Sequence, residues 1–218
     1  MRALRYAGLF TTILLIATFV YGAKGFMDAL SDADELRVRA DKLIANERGG
    51  ASLGAEHLAI LLLVEDPSFT KHNGVDLSSP GAGLTTITQS ASKRLAFDKF
   101  RPGIGKVRQT GYALGLERRL SKDQILALWL DTLEMGRGPN GWMNGFYTAS
   151  STIYGRQPRE LSKKEFVRLV AVLIAPAKYN LAQSDAALDE RVRRIERLAS
   201  GTCEPVGVTD VWLESCSS

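Results

Sequence analysis

Apolar and polar positions change their spacing several times along this chain, and each change marks an element. Tyr6 to Ala23 carries no charged side chain and follows Arg2 and Arg5. About eighteen helical residues reach roughly 27 Å, enough to cross a hydrocarbon core. The run is longer than the apolar region of a cleaved signal peptide, although "YGAKG" is a weak candidate cleavage site. It therefore reads as an uncleaved anchor. Two Arg precede it, whereas Lys24 is followed by Asp28, Asp32, Asp34 and Glu35. That bias puts the N-terminus in the cytoplasm and the rest outside it.

Beyond the anchor, Ala29 to Glu47 mixes acids, bases and helix formers, and is read as a stalk ended by "RGGASLGAEH". Ala55 to Val64 is nearly all apolar, the pattern of a buried helix. "LSSPGAGL", residues 77 to 84, is turn chemistry, and a helix is expected from Thr86 to about Asp98. "KFRPGIG" breaks the chain again. Ser121 with Gln124 and Ser162 with Glu165 are capping boxes that open two further helices. Pro176 stops the second. Leu188, Val192, Ile195 and Leu198 form one stripe of a surface helix. Strand signals are few. The expectation is an all-α, mostly helical chain: membrane anchor 1–24, helical stalk 25–50, main domain 51–200, irregular tail 201–218.

Composition changes this picture little. Over 218 residues, 45% are hydrophobic and 24% charged, with net charge +4. Basic residues recur through the middle (Lys93, Arg94, Lys99, Arg101, Lys106, Arg108, Arg118, Arg119). They suit an anionic ligand, an anionic membrane surface or nucleic acid. No RNA-binding signature, zinc-type Cys/His spacing or Walker loop is present, so no nucleic-acid partner is expected. The two cysteines, Cys203 and Cys216, close a small loop in an exported chain or remain free thiols otherwise.

The candidate chemistry starts where the apolar run of residues 61–64 meets two acids. "EDPSFTKHNGVD" resembles the first signature of family 51 glycosyltransferases, the transglycosylase domain of class A penicillin-binding proteins and of monofunctional peptidoglycan transglycosylases. Glu65, Asp66, Phe69, His72, Gly74 and Asp76 match it. "GLTTITQSASKR" resembles the second motif through Gly83, Thr86, Ile87, Thr88, Gln89 and Lys93, with Thr85 conservative for Ser. "GKVRQTGYALGLERRLSKDQILALWLD", "GFYTASSTIYGR" and "LVAVLIAPAKYN" resemble the later motifs in the right order. The resemblance covers residues 55 to 181 and implies a lysozyme-like transglycosylase domain.

It also implies an activity: polymerisation of lipid II onto a growing glycan strand with release of undecaprenyl diphosphate, at the outer face of the bacterial inner (cytoplasmic) membrane. A transpeptidase or another cell-wall protein would be the partner. Inverting glycosyl transfer needs a base for the acceptor hydroxyl, and Glu65 matches the family's base. Desolvation at the end of an apolar helix raises a carboxylate's pKa and improves it for that task. The departing diphosphate needs cations, from a divalent metal (Mg or Mn) or from Lys93, Arg94, Lys106 and Arg108. Thr85, Thr86 and Gln89 are candidates to bond sugar or phosphate, and Asp66 and Phe69 belong to the same signature.

The departures are specific. Gln109 stands where the family has a second catalytic Glu, Gly105 replaces its Arg, Ser90 a Gln and Arg94 an Asn. The stretch from Asp76 to Gly83 is short, and "GRGPNGW" is unusual. Gln109 and the short segment leave open a lipid II-binding scaffold without catalysis; a glycan hydrolase would also use an acid near a cleft, but "TTITQ" and Lys93 suit diphosphate better than a neutral polymer. Taken singly, His72 reads as structural, His57 as a surface or capping residue, and Phe69 as core. Trp129 and Trp142 suit a lipid-proximal face, and core packing suits Trp129 equally.

Overall fold

The computed structural model describes residues 2–217, with side chains from Tyr6 onward; the flanking Arg2 and Arg5 side chains lie outside that range. Helix α1 runs without a break over Arg2–Ala45. Its two halves follow different rules. Around the first half apolar side chains are exposed on every side, among them Leu9, Phe10, Ile13, Leu14 and Phe19. This helix is long and apolar enough to cross a membrane. The second half buries one stripe, Ala29, Ala33, Leu36, Ala40 and Leu43.

Residues 25–50, expected as a helical stalk, are thus helical as far as Ala45 and packed against the domain. Their main neighbours are α4 (Gly105–Arg119) and α5 (Lys122–Thr132). The approach to α4 is close because the facing residues are small. A Cβ on Gly111 would stand 2.0 Å from the Gly22 carbonyl oxygen, and one on Gly115 would stand 2.6 Å from the Ala29 Cβ. Polar contacts lock the same crossing: Arg108 pairs with Asp28 at 2.8 Å, and the Tyr112 hydroxyl donates to Asp32 at 2.7 Å.

Helix α5 is the centre of the core. Six consecutive residues, Ile125 to Leu130, are buried, which an α-helix achieves only when surrounded. Around it lie α1, α3 (Ile87–Leu95) and α6 (Phe146–Tyr154). The layer beyond is α2 (Ala55–Glu65), α7 (Lys163–Val172) and α8 (Ala186–Ala199). Both predicted capping boxes form, at Ser121/Gln124 and Ser162/Glu165. The predicted stripe of α8 is buried. His57 is a correction. It is buried and stacks on Phe166 at 4.1 Å between ring centroids, because α2 packs on α7. Burial holds its pKa below the usual histidine value.

One hairpin interrupts the helices: β1 (Glu134–Gly138) pairs antiparallel with β2 (Gly141–Asn144) around the turn in "GRGPNGW". The segment from residue 201 is irregular and closed by a Cys203–Cys216 disulfide, with Cys216 fully buried.

Candidate active site

Helix α2 runs apolar from Leu58 to Val64 and ends on Glu65; Asp66 is its C-cap. The 100° step between successive helix positions sends these two carboxylates to different environments. Asp66 turns inward and is buried. Its oxygens take the Ile87 amide N–H at 2.9 Å and His72 Nε2 at 2.9 and 3.0 Å. His72 Nδ1 accepts the Gly74 N–H at 3.0 Å, so the proton sits on Nε2 and points at Asp66. Burial raises the Asp66 pKa, opposed by the Ile87 N–H and by His72. The pair joins the end of α2 to the first turn of α3, where a helix N-terminus favours an anion.

Glu65 turns the other way, into a cleft of about 410 Å³. Among the described residues nothing hydrogen-bonds its carboxylate. Desolvation pushes its pKa up to about 7, against the pull of Arg191 and Arg94, with Asp66 adding a small push. A carboxyl that titrates near neutrality and faces open space has the properties of a general acid or base.

Cations surround it. Lys93 and Lys106 converge over the Phe100 ring, 5.6 and 5.9 Å from its centroid. Lys106 also donates to the Thr85 hydroxyl at 3.1 Å, and burial and the nearby Lys93 lower its pKa. Arg94 bonds Ser90 Oγ at 3.1 Å and Thr132 Oγ1 at 3.4 Å. Desolvation brings its pKa to about 10, with Glu134 and Glu65 holding the charge on. Trp129 and the turn after α7, Leu173 and Ile174, close the apolar side. A second compartment of about 400 Å³ opens from the same Glu65, lined by residues 81–87, Arg191 and Val211.

Glu65, Thr85, Lys93, Arg94, Lys106 and Gln109 therefore line one cleft, and Thr86 lines its second compartment. Four other residues expected at the substrate lie away from these walls. Asp66 is spent on His72 and Ile87. Phe69 is buried under the Lys122 ammonium, 4.6 Å from the ring centroid. Gln89 closes a capping box with Thr86 and donates to Thr110 Oγ1 at 3.0 Å. Arg108 faces α1, paired with Asp28.

Gln109 borders the cleft with its side chain fully buried. Its Nε2 donates to the Gln89 carbonyl at 2.6 Å, and its Oε1 has no partner among the described residues. An amide can make that bond and a carboxylate cannot.

One cleft residue was missed. Arg191 is buried, and its Nε and one terminal nitrogen have no partner among the described residues. It lies three residues after Leu188 and four before Ile195, so a charge on the apolar stripe of α8 was the available signal. Glu134, an acid that the sequence alone could not place, also lines the cleft from the start of β1. No group of three or more His, Cys, Asp or Glu among the described residues is placed to hold a metal ion.

Comparisons with known proteins identify the family. Residues 51–199 match the family model described as Transglycosylase. The chain is 33% identical over 145 residues to the biosynthetic peptidoglycan transglycosylase of Marinomonas sp. strain MWYL1, covering 61% of this chain and 63% of that protein. It is 30% identical over 162 residues to the protein of the same name from Shewanella frigidimarina, covering 67% and 70%. Penicillin-binding protein 1B of Escherichia coli is 30% identical over 151 residues, 63% of this chain but 18% of that much longer protein. The chain thus spans under two thirds of the Marinomonas protein and about a fifth of the penicillin-binding protein.

Proposed function

Because the chain belongs to the transglycosylase family, we propose that it is a peptidoglycan glycosyltransferase that extends glycan strands from lipid II and releases undecaprenyl diphosphate. The observation that carries this reading is Glu65: a carboxyl with its pKa near 7, unbonded among the described residues, in a cleft whose rim holds Lys93, Arg94 and Lys106. In this scheme Glu65, ionised, takes the proton of the acceptor hydroxyl as that oxygen attacks the anomeric carbon of the donor. The bond to diphosphate breaks, and the charge that develops on the leaving oxygens is met by Lys93 and Lys106, fixed over Phe100. Arg94 and Arg191 keep Glu65 from becoming so basic that it stays protonated.

A divalent cation was expected to share the diphosphate charge. The carboxylates lining the cleft, Glu65 and Glu134, are too few to build a dedicated metal cage. A cation that arrives on the diphosphate is substrate in this scheme, and no step passes through it.

The apolar half of α1 is assigned to the inner membrane as a single span, with the domain on the outer face where lipid II is presented. Strands made by this chain would need cross-linking by a transpeptidase. The test is polymerisation of labelled lipid II by the full-length chain in detergent. Strands from wild type and none from Glu65→Gln are expected; strands from both would remove Glu65 from the chemistry. Lipid II bound but never polymerised by wild type would leave a binding protein.

A further inference from the structure

The stretch between Asp76 and Gly83 is short, and the C-terminal loop packs against its end on one side of the cleft. The Gly81 N–H donates to the Gly207 carbonyl at 2.9 Å, and the Gly83 N–H donates to the Val208 carbonyl at 3.0 Å. Both glycines have positive φ, 76° and 73°. A Cβ on Gly81 would stand 2.7 Å from Pro205, and one on Gly83 would stand 2.9 Å from the Val211 methyl. The "GAG" turn is therefore shaped to the loop on two counts, backbone conformation and absent side chains.

The loop has its own framework. The Cys203–Cys216 bond closes it. Asp210 accepts the Val206 and Glu214 N–H groups at 3.2 and 2.8 Å and the Ser215 hydroxyl at 2.6 Å. Leu213 and Cys216 are buried in the main core. Val211 is carried into the compartment that opens from Glu65.

The two compartments differ in chemistry. The one away from the loop holds Lys93, Arg94 and Lys106. The one on the loop side carries no charged side chain apart from Glu65 and Arg191; the 81–83 turn, Thr85, Thr86 and Ser90, and apolar side chains including Leu84 and Val211 line it. Neutral sugar suits such a surface, where hydroxyls and apolar side chains take the place of the cations.

We propose that the disulfide-closed loop 203–216 is a specificity-determining wall of the cleft: it bounds the compartment that seats the sugar of the lipid-linked substrate, while the Lys93/Lys106 side holds its diphosphate. This rests on the transferase reading for the identity of the substrate, and on the geometry alone for the wall.

Binding of labelled lipid II to the full-length chain in detergent tests it, with inorganic pyrophosphate as the competing probe. Val211→Trp fills the compartment and is expected to weaken lipid II binding about tenfold while pyrophosphate competes as in wild type. Lys106→Ala should give the reverse bias, weakening pyrophosphate most. Cys203→Ser, or wild type after thiol reduction, should weaken lipid II in the same direction as Val211→Trp, with helical content retained by circular dichroism. Lipid II affinity at the wild-type value in Val211→Trp, or weakening of lipid II and pyrophosphate together, would overturn the wall. Polymerisation is scored separately on the same wild-type sample. A chain that binds but never polymerises fails the transferase reading and leaves the wall tested all the same.

Discussion

Glu65 and Asp66 are neighbours in the chain and opposites in the fold. Asp66 is fully occupied: two donors, the Ile87 N–H and a His72 N–H shared between both oxygens, hold it, and the histidine's other nitrogen is also bonded. Glu65 has no such partner among the described residues and pays in desolvation, with its pKa at about 7. The lysines divide in the same way. Lys122 bonds the Glu117 carboxylate and the His72 carbonyl, both at 2.7 Å, and covers the Phe69 ring. Lys93 and Lys106 share one aromatic face beside an open cleft. One set of charges ties α2, α3, α4 and α5 together. The other is left unsatisfied where a ligand can satisfy it. Unmet electrostatic demand, more than the presence of charge, separates the chemical set from the structural one.

The largest effect should come from Glu65→Gln. Polymerisation should fall by about three orders of magnitude, the middle of the range for a positioned proton acceptor. Stability should move the other way. The folded pKa lies above the ordinary 4.5, so the folded chain binds more protons than the unfolded one between about 4.5 and 7. The contribution of Glu65 is therefore favourable below that window and is lost as pH rises through it. At pH 8 Glu65→Gln should be more stable than wild type by up to about 2 kcal/mol after discounting for partial exposure, read as a higher unfolding temperature. Wild-type activity should rise with pH to a plateau, with an apparent pKa near 7. A flat profile between pH 6 and 8 would break the contrast at its centre.

Asp66→Asn comes next and is expected to act on the fold. One oxygen is exchanged for an NH₂ that faces either the His72 Nε2–H or the Ile87 N–H, so a donor meets a donor in a buried site. The cost should be about 2–3 kcal/mol, read by thermal or denaturant unfolding. Turnover per folded molecule should change far less than in Glu65→Gln.

The lysine pair sharpens the same division. Lys106→Ala should raise the KM for lipid II about tenfold, the loss of one charge-assisted contact, with little change in unfolding. Lys122→Ala should leave Glu117 without its cation, bonded by Thr88 alone, and the His72 carbonyl without the ammonium, and lower stability by about 2 kcal/mol with an unchanged KM.

How far the sequence showed this division depends on distance along the chain. Glu65 was legible because the apolar run ending in acids lies within one helix. So were the capping boxes at Ser121 and Ser162, each contained in four residues. Lys93, Arg94 and Lys106 were legible as a basic cluster, but their selection was not: Arg108 belongs to the same cluster by spacing, and only the crossing of α1 over α4 gives it to Asp28. Gln89 reads as a polar ligand in "TTITQ", yet the same residues are a capping box, with Thr86 three positions before Gln89. His57 was misplaced because its burial is decided by Phe166, more than a hundred residues away. The loop wall was illegible for the same reason. Two glycines at 81 and 83 promise a turn, and nothing local says that Pro205 and Val211 occupy the missing side chains.

The smallest effect, and the finest test of the division, is Thr88→Val. Thr88 is fully buried on α3, five residues before the cleft residue Lys93, and its hydroxyl donates to Glu117 Oε1 at 2.5 Å. Valine keeps the shape and removes the donor. Glu117 retains Lys122, so no charge is stranded, and the loss should be about 1 kcal/mol. For a chain of this size that lowers the melting temperature by about 3 °C. Because α3 also carries Lys93 and Arg94, a network coupled through the helix would shift the KM for lipid II as well. An unchanged KM beside the lowered melting temperature would show two charge sets that share a helix and remain energetically separate. A KM change above about threefold, roughly 0.7 kcal/mol, would mean that the structural charges hold the cleft cations in place, and the two sets would have to be treated as one.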